Sequence, residues 1–300
     1  MPDAVFFTLL WCLYSPHLIH EKMRILLPTD FSKLSVIPVY YAAKLARKIN
    51  AEIILFNGVN LEATPRASTS FKTTQLLDVM CKNALTDLEN LADKLKEDIG
   101  EDLKVSWAMA NGAPMEKVVE TFALENKIDL IVMGTKGASG LKKVLMGSNT
   151  AAVIAFSSIP VIAVPEFAYF SHIHKIVYAS DFQNVENEIE ALLPFARLFE
   201  ASIQLLHVVS PNTPPPVAAE ILEKALIDNY HYPNLSVHHL VNEKVLEAID
   251  GFIAENGADI LAMFTHKPTF FEKLFGQSVT REMAFHSNIP LLTMKKPIPV

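Results

Sequence analysis

Asp129-Leu130-Ile131-Val132-Met133-Gly134-Thr135-Lys136-Gly137-Ala138-Ser139-Gly140 is a short apolar run that breaks into a glycine-rich turn. Four consecutive large apolar residues, Leu130 to Met133, suit a strand buried on both faces. The chain has only 10 glycines in 300 residues, about half the usual share of ~7%. Yet Gly134, Gly137, Gly140 and Gly147 fall within fourteen residues. A buried strand opening into such a loop is the βα turn of a parallel α/β sheet.

The pattern continues on both sides. Met23–Pro28, Glu52–Phe56, Leu103–Met109, Leu130–Met133 and Pro160–Val164 read as strands. Leu34–Ile49, Thr74–Asp98, Met115–Asn126 and Leu141–Ser157 read as the helices between them, with a long polar loop over Asn60–Thr73. The order then repeats. Lys175–Ala179 leads to Ser180-Asp181-Phe182 as Arg24–Pro28 leads to Thr29-Asp30-Phe31. Ser202–Val209 matches Glu52–Val59, Asp259–Met263 matches Asp129–Met133, and Ile289–Leu292 matches Ile159–Ile162. The offset drifts from 151 at the first Asp to 130 at the last strand, which indicates a duplicated domain with loop-length changes. The expected divisions are 1–22, 23–166, a linker over 167–174, and 175–300.

Composition sets limits. With 50% hydrophobic and 20% charged residues, the chain can bury a large core and is no disordered segment. A net charge of −7 argues against a general nucleic-acid binder. Two cysteines, Cys12 and Cys81, cannot build a disulfide framework or a four-thiolate zinc site, and a reducing compartment suits the chain. Ala4–Tyr14 is apolar but too short to span a membrane. It also has no Lys or Arg before it and no cleavage site after it, so it fits a signal peptide poorly. We expect residues 1–22 to be an extension outside the fold, with translation starting at Met23. The alternative is an arm packed on the domain surface.

In an open parallel sheet, ligands bind beyond the C-terminal strand ends. That singles out Pro28-Thr29-Asp30, the region of Gly58-Val59, and Met133-Gly134-Thr135 with the glycine-rich stretch behind it. Glycines let backbone N–H groups approach an anion, and a following helix N-terminus adds free donors and a favourable dipole. Ser148 and Thr150 offer hydroxyls, and Lys136, Lys142 and Lys143 bring charge. This reads as a phosphate cradle or as glycines that merely turn the chain. It is neither a Walker A loop nor a G-x-G-x-x-G turn.

The spacing Gly134-x-x-Gly137, then Gly147-Ser148, resembles the ATP-binding signature of the universal stress protein family. Pro28-Thr29-Asp30-Phe31-Ser32 and Ile159-Pro160-Val161 are also similar to that family. The resemblance covers Met23 to Val300 as two copies. It implies tandem Rossmann-like α/β domains, each a five-stranded parallel sheet in order 3-2-1-4-5 with helices on both faces. It also implies pairing through the last strand, as in the family's dimers, and a cytoplasmic role in stress adaptation. By the same resemblance, Asp30 lies near adenosine, with Pro28 and Thr29 before it, and Gly58 and Val59 border the base or ribose. Gly134, Gly137, Gly147 and Ser148 hold ribose and phosphates, with Met133, Thr135, Asn149 and Thr150 beside them.

The second copy departs from this pattern. Gly134, Gly137 and Gly147 become Phe264, Lys267 and Gln277, while Asp181 still matches Asp30. Phe264, Phe270 and Phe271 are expected to make its loop bulky. Residues 23–166 hold sixteen basic and sixteen acidic residues, against nine and fifteen in 167–300, so an anion suits the first copy better. The expectation is one ATP site per chain, in the first copy, with or without Mg. Eight of ten histidines lie in the second half. His238 and His239 are adjacent on a predicted strand and point to opposite faces, so they are no ready metal pair. His207 and His266 flank the second cleft. Asp30 could also be a helix N-cap.

The leading reading is an ATP-binding regulatory protein that acts on an unknown protein partner through conformation. Its own two domains would pair, and a homodimer stays open; nucleic acid and membrane are not expected partners. The alternatives are a slow ATP hydrolase or nucleotidyl transferase, and a nucleotide-free interaction module.

Overall fold

The computed structural model describes residues 22–59, 71–135, 147–211, 217–265 and 289–297. The first half runs β1 (Arg24–Pro28), α1 (Val36–Ile49), β2 (Glu52–Val59), α2 (Phe71–Ile99), β3 (Lys104–Asn111), α3 (Met115–Glu125), β4 (Leu130–Gly134), α4 (Ser148–Phe156) and β5 (Val161–Val164). The second half follows with β6 (Lys175–Ala179), α5 (Val185–Phe199), β7 (Ser202–Val209), α6 (Ala219–Tyr230), β8 (Leu235–Val241), α7 (Val245–Asn256), β9 (Ile260–Thr265) and β10 (Leu291–Lys295).

The strands form one ten-stranded sheet in the order β3-β2-β1-β4-β5-β10-β9-β6-β7-β8. Each half therefore has the order 3-2-1-4-5, and every neighbour pair within a half is parallel. The seam between the halves is antiparallel, with Leu291 opposite Ala163, Leu292 opposite Ile162 and Thr293 opposite Val161. Ile162 and Leu292 are equivalent positions, so this register is that of a two-fold axis through the pair. Thr293 Oγ1, buried, also donates to the Val161 carbonyl at 3.2 Å.

Central strands are buried on both faces. β4 is buried from Leu130 to Met133, and β9 along its whole length. Their continuous apolar runs follow from that double burial. The edge strand β3 is half exposed and mixes polar with apolar residues. Alternate strand residues feed two core layers. Ile25 and Leu27 pack under α1 and α2, and the same layer continues beneath α5 and α6. Leu26 faces the opposite layer with α3, α4 and α7. Between β5 and β6 the connection is tied down: Phe170 and Ile173 are buried, and Phe170 meets Tyr41 edge-on at 5.2 Å.

The duplication reaches individual atoms. Phe31 and Phe182 both take left-handed φ (58° and 61°), as do Asn50 and Glu200 (54° and 53°). Few non-glycine residues adopt that region, so its recurrence at equivalent places marks two copies of one chain trace. Asp129 Oδ2 accepts the Arg24 N–H, and Asp259 Oδ2 accepts the Lys175 N–H. Arg24 and Lys175 each return a side-chain bond to the carbonyl of Asn126 or Asn256. These pairs bolt the fourth strand of each half to the first.

Several element bounds differ from the sequence reading, mostly by one to three residues, and three differences matter most. β2 runs on to Val59 because Asn57 and Gly58 continue the ladder with β3. α2 starts at Phe71 rather than Thr74. A continuous helix over 141–157 does not form: Gly147 is extended (φ −64°, ψ 147°), and α4 begins after it at Ser148.

Candidate functional site

The end of β1 is a turn built from its own polar side chains. Thr29, 7% exposed, donates its N–H to the Phe56 carbonyl at 2.8 Å. Its Oγ1 contacts Ser35 Oγ at 3.1 Å and accepts the Phe31 N–H at 3.2 Å. Asp30, exposed, accepts the Ser32 N–H at 3.0 Å. That Asx turn lies five residues ahead of Ser35, the α1 N-cap. Asp30 is therefore not a helix cap, and its carboxylate stands at the rim of the sheet. Pro28 ends the strand beside Phe56.

β2 supplies the next wall. Asn57 Nδ2 donates to the Thr29 carbonyl at 2.8 Å, joining the two strand ends. Gly58 lies against Met115, the first residue of α3, and a Cβ there would overlap the Met115 Cε and Sδ. A side chain at 58 would have to displace Met115. Val59 contributes the last backbone pair of the strand, with Asn111.

On the other side of β1, β4 ends at Gly134. The Met133 side chain is buried in the second core layer, so only its backbone faces this region. Thr135 donates its N–H to the Val164 carbonyl at 2.9 Å and accepts the Gly147 N–H. This link brings the two ends of the glycine-rich segment together. Thr150, 4% exposed, donates its hydroxyl to the Gly134 carbonyl at 2.7 Å. Its proton is therefore engaged in holding α4 on β4, which leaves its oxygen as an acceptor. Gly147, Ser148 and Asn149 form the start of α4, where Ser148 and Asn149 are exposed. Among the described residues no side chain caps that end, and its first turn has no acidic residue, an arrangement that suits an anion. Gly137, with Lys136, Lys142 and Lys143, lies outside the described residues.

The ends of β2, β1 and β4 are therefore neighbours, and chain order reverses between β1 and β4. That crevice is the switch point of an open α/β sheet.

At the matching positions of the second half, larger side chains stand where the first half has small ones. Phe264, the counterpart of Gly134, is not in a loop as expected. It lies within β9, 4% exposed, edge-on to Tyr178 at 5.5 Å. Phe182 stacks on His207 at 4.2 Å, and a His207 ring nitrogen sits 2.9 Å from the Ser180 carbonyl. His207 thus repeats the tie that Asn57 makes in the first half. His238 packs on Phe252 while His239 faces His207, on opposite sides of β8. Burial pushes the His238 pKa down. His231 is the left-handed residue that ends α6. No group of three His, Cys, Asp or Glu among the described residues could hold a metal ion. His266, Phe270 and Phe271 lie outside them.

Two residues escaped the sequence reading. Glu188 is 1% exposed on α5 and Lys296 follows β10 with a buried ammonium. The signal for Glu188 was a carboxylate inside the apolar stripe Val185, Ile189, Leu192.

Two doubly wound α/β units joined through an antiparallel seam define the architecture. Residues 22–165 match the family model of the universal stress protein family. Two universal stress proteins of Methanocaldococcus jannaschii are similar. MJ0531 is 31% identical over 144 residues, covering 47% of this chain and 81% of that protein. MJ0577 is 32% identical over 155 residues, covering 47% and 93%. A universal stress protein structure from Archaeoglobus fulgidus shares the fold, with TM-score 0.69 and 20% identity over 91% of this chain and 98% of that one. The chain belongs to the universal stress protein family.

Proposed function

We propose that this is an ATP-binding regulatory protein of the stress response, with one nucleotide site per chain, in the first half. The observation that carries this reading is the start of α4, uncapped among the described residues and held by Thr150–Gly134 and Gly147–Thr135 at the end of β4, the strand next to β1. Open helix N–H groups and a positive dipole end suit phosphate. In this reading the α4 N-terminus and Gly134, Gly137, Gly147 and Ser148 receive the phosphates and ribose. Asp30, Gly58 and Val59 border the nucleoside. Any Mg would be held mainly by phosphate oxygens and water. Bound nucleotide would bias the segments 60–70 and 136–146 and so alter partner surfaces. The boundaries 23–166 and 175–300 belong to the same reading, as does a cytoplasmic location; no helix among the described residues is long and apolar enough to cross a membrane.

The test is titration calorimetry with ATP on the full chain. One site per chain is expected, lost on Gly147→Ala while the thermal unfolding transition stays sharp. The backbone at Gly147 suits any residue (φ −64°, ψ 147°), so the added methyl acts on the space before α4 and not on the chain trace. A folded protein that binds no ATP, or two equivalents, overturns the reading.

A further inference from the structure

The second cleft contains an occupant supplied by the chain itself. Lys296 Nζ lies 2.9 Å from both oxygens of Asp181 and 3.2 Å from Glu188 Oε1. An ammonium has three N–H donors and no acceptor, and three carboxylate oxygens surround this one. Its side chain is 6% exposed and that of Glu188 is 1% exposed. Glu188 Oε2 accepts the Tyr178 hydroxyl, which also contacts Ser180 Oγ at 3.1 Å. Glu188 Oε1 has no hydrogen-bond donor other than this ammonium among the described residues. The tail is aligned by backbone as well: the Lys296 N–H donates to the Thr265 carbonyl, and Asn184 Nδ2 to the Pro297 carbonyl at 3.2 Å.

Without the cation, this site would hold two carboxylates, one of them fully buried. Such a charge is strongly unfavourable when left unpaired. A cation satisfies both carboxylates at once. Three acceptors converging on one point favour a compact ammonium over the planar fork of a guanidinium.

We propose that the second half has become a receptor for primary alkylammonium groups, filled in cis by Lys296, which latches the C-terminal tail across its cleft. Burial alone would pull the Lys296 pKa down, but the Asp181 hydrogen bond and the Glu188 charge outweigh it and raise it. If the tail lifts, the same three oxygens accept the terminal ammonium of another lysine or a small primary amine. This inference does not depend on nucleotide binding in the first half.

The test uses the full chain. Lys296→Met and Lys296→Ala should lower Tm by roughly 6–20 °C, the scale for breaking a buried ion pair in a chain of this size. Lys94→Met, on an exposed helix face, serves as the control. In Lys296→Ala the missing atoms correspond to n-propylammonium. Adding it should restore at least half of the lost Tm, whereas tetramethylammonium at equal concentration should not. A Tm within 2 °C of wild type for both variants, or equal recovery with both cations, overturns the proposal. If Lys296→Ala does not fold, Lys296→Met/Glu188→Gln decides. Recovery relative to Lys296→Met alone supports the receptor, and no recovery or a further loss overturns it.

Discussion

Replacing Thr150 by valine removes one hydroxyl and little else. The residue is 4% exposed and its Oγ1 donates to the Gly134 carbonyl at 2.7 Å. Valine preserves the branched shape, so no large cavity opens. What is lost is one short neutral hydrogen bond, leaving the Gly134 carbonyl without that donor. A lost bond with a stranded partner costs about 1–3 kcal/mol. For a unit of 150–250 residues this lowers Tm by roughly 2–12 °C. The same bond fixes the start of α4 relative to β4, so ATP affinity should fall by about fivefold, or roughly 1 kcal/mol. Thr150→Ser keeps the hydroxyl and should retain the affinity. Thermal melts and calorimetry on the three proteins measure both quantities. A valine variant within 1 °C of wild type with unchanged affinity would refute the reasoning. So would a serine variant that loses as much affinity as valine.

Other consequences are equally direct. Gly134→Ala and Gly147→Ala should each weaken ATP binding at least tenfold, while Gly276→Ala should leave it unchanged; equal loss in all three calorimetric titrations contradicts the assignment. Asn57→His should fold normally, because His207 makes the equivalent tie to Ser180. Asn57→Leu should lose about 0.5–1.5 kcal/mol in urea unfolding, and a larger loss from His than from Leu would overturn that equivalence. Burial raises the pKa of Tyr178 and Tyr41, with the Glu188 and Asp259 charges adding to it, and Lys296 is raised as described. Groups raised in the folded state contribute stability that is complete below their unfolded pKa, near 10, and lost as pH rises through the folded values. Tm should therefore be nearly flat from pH 8 to about 10 and fall steeply above it. A flat Tm from pH 9 to 12 would contradict this.

Much of this architecture is legible in the sequence, for a definite reason. Strands buried on both faces leave uninterrupted apolar runs, as in Ile176–Ala179, so β6 could be bounded to the residue. Duplication doubled the signal by giving each strand a second example. The end of β2 was hidden because Asn57 and Gly58 are polar or small, although they continue the ladder. Gly147 was hidden in a run of helix formers, because its extended backbone depends on a bond to the distant Thr135 carbonyl. The candidate site was legible in its residue types but not in its division of labour. Hydropathy cannot tell that Thr150 holds a strand end, that Met133 turns into the core, or that Lys296 seeks two carboxylates more than a hundred residues away.

The antiparallel seam has a consequence for how the two halves can diverge. In a two-fold homodimer, each position off the axis is present twice, and every substitution arrives in both subunits together. Here the pairs that symmetry would make identical already differ: Ala163 faces Leu291, while Val161 faces Thr293. The covalent join makes the molecule a permanent heterodimer with a fixed one-to-one ratio. Gly134 is always accompanied by Phe264, and no exchange of subunits can produce a pair with two glycines or two phenylalanines at that place.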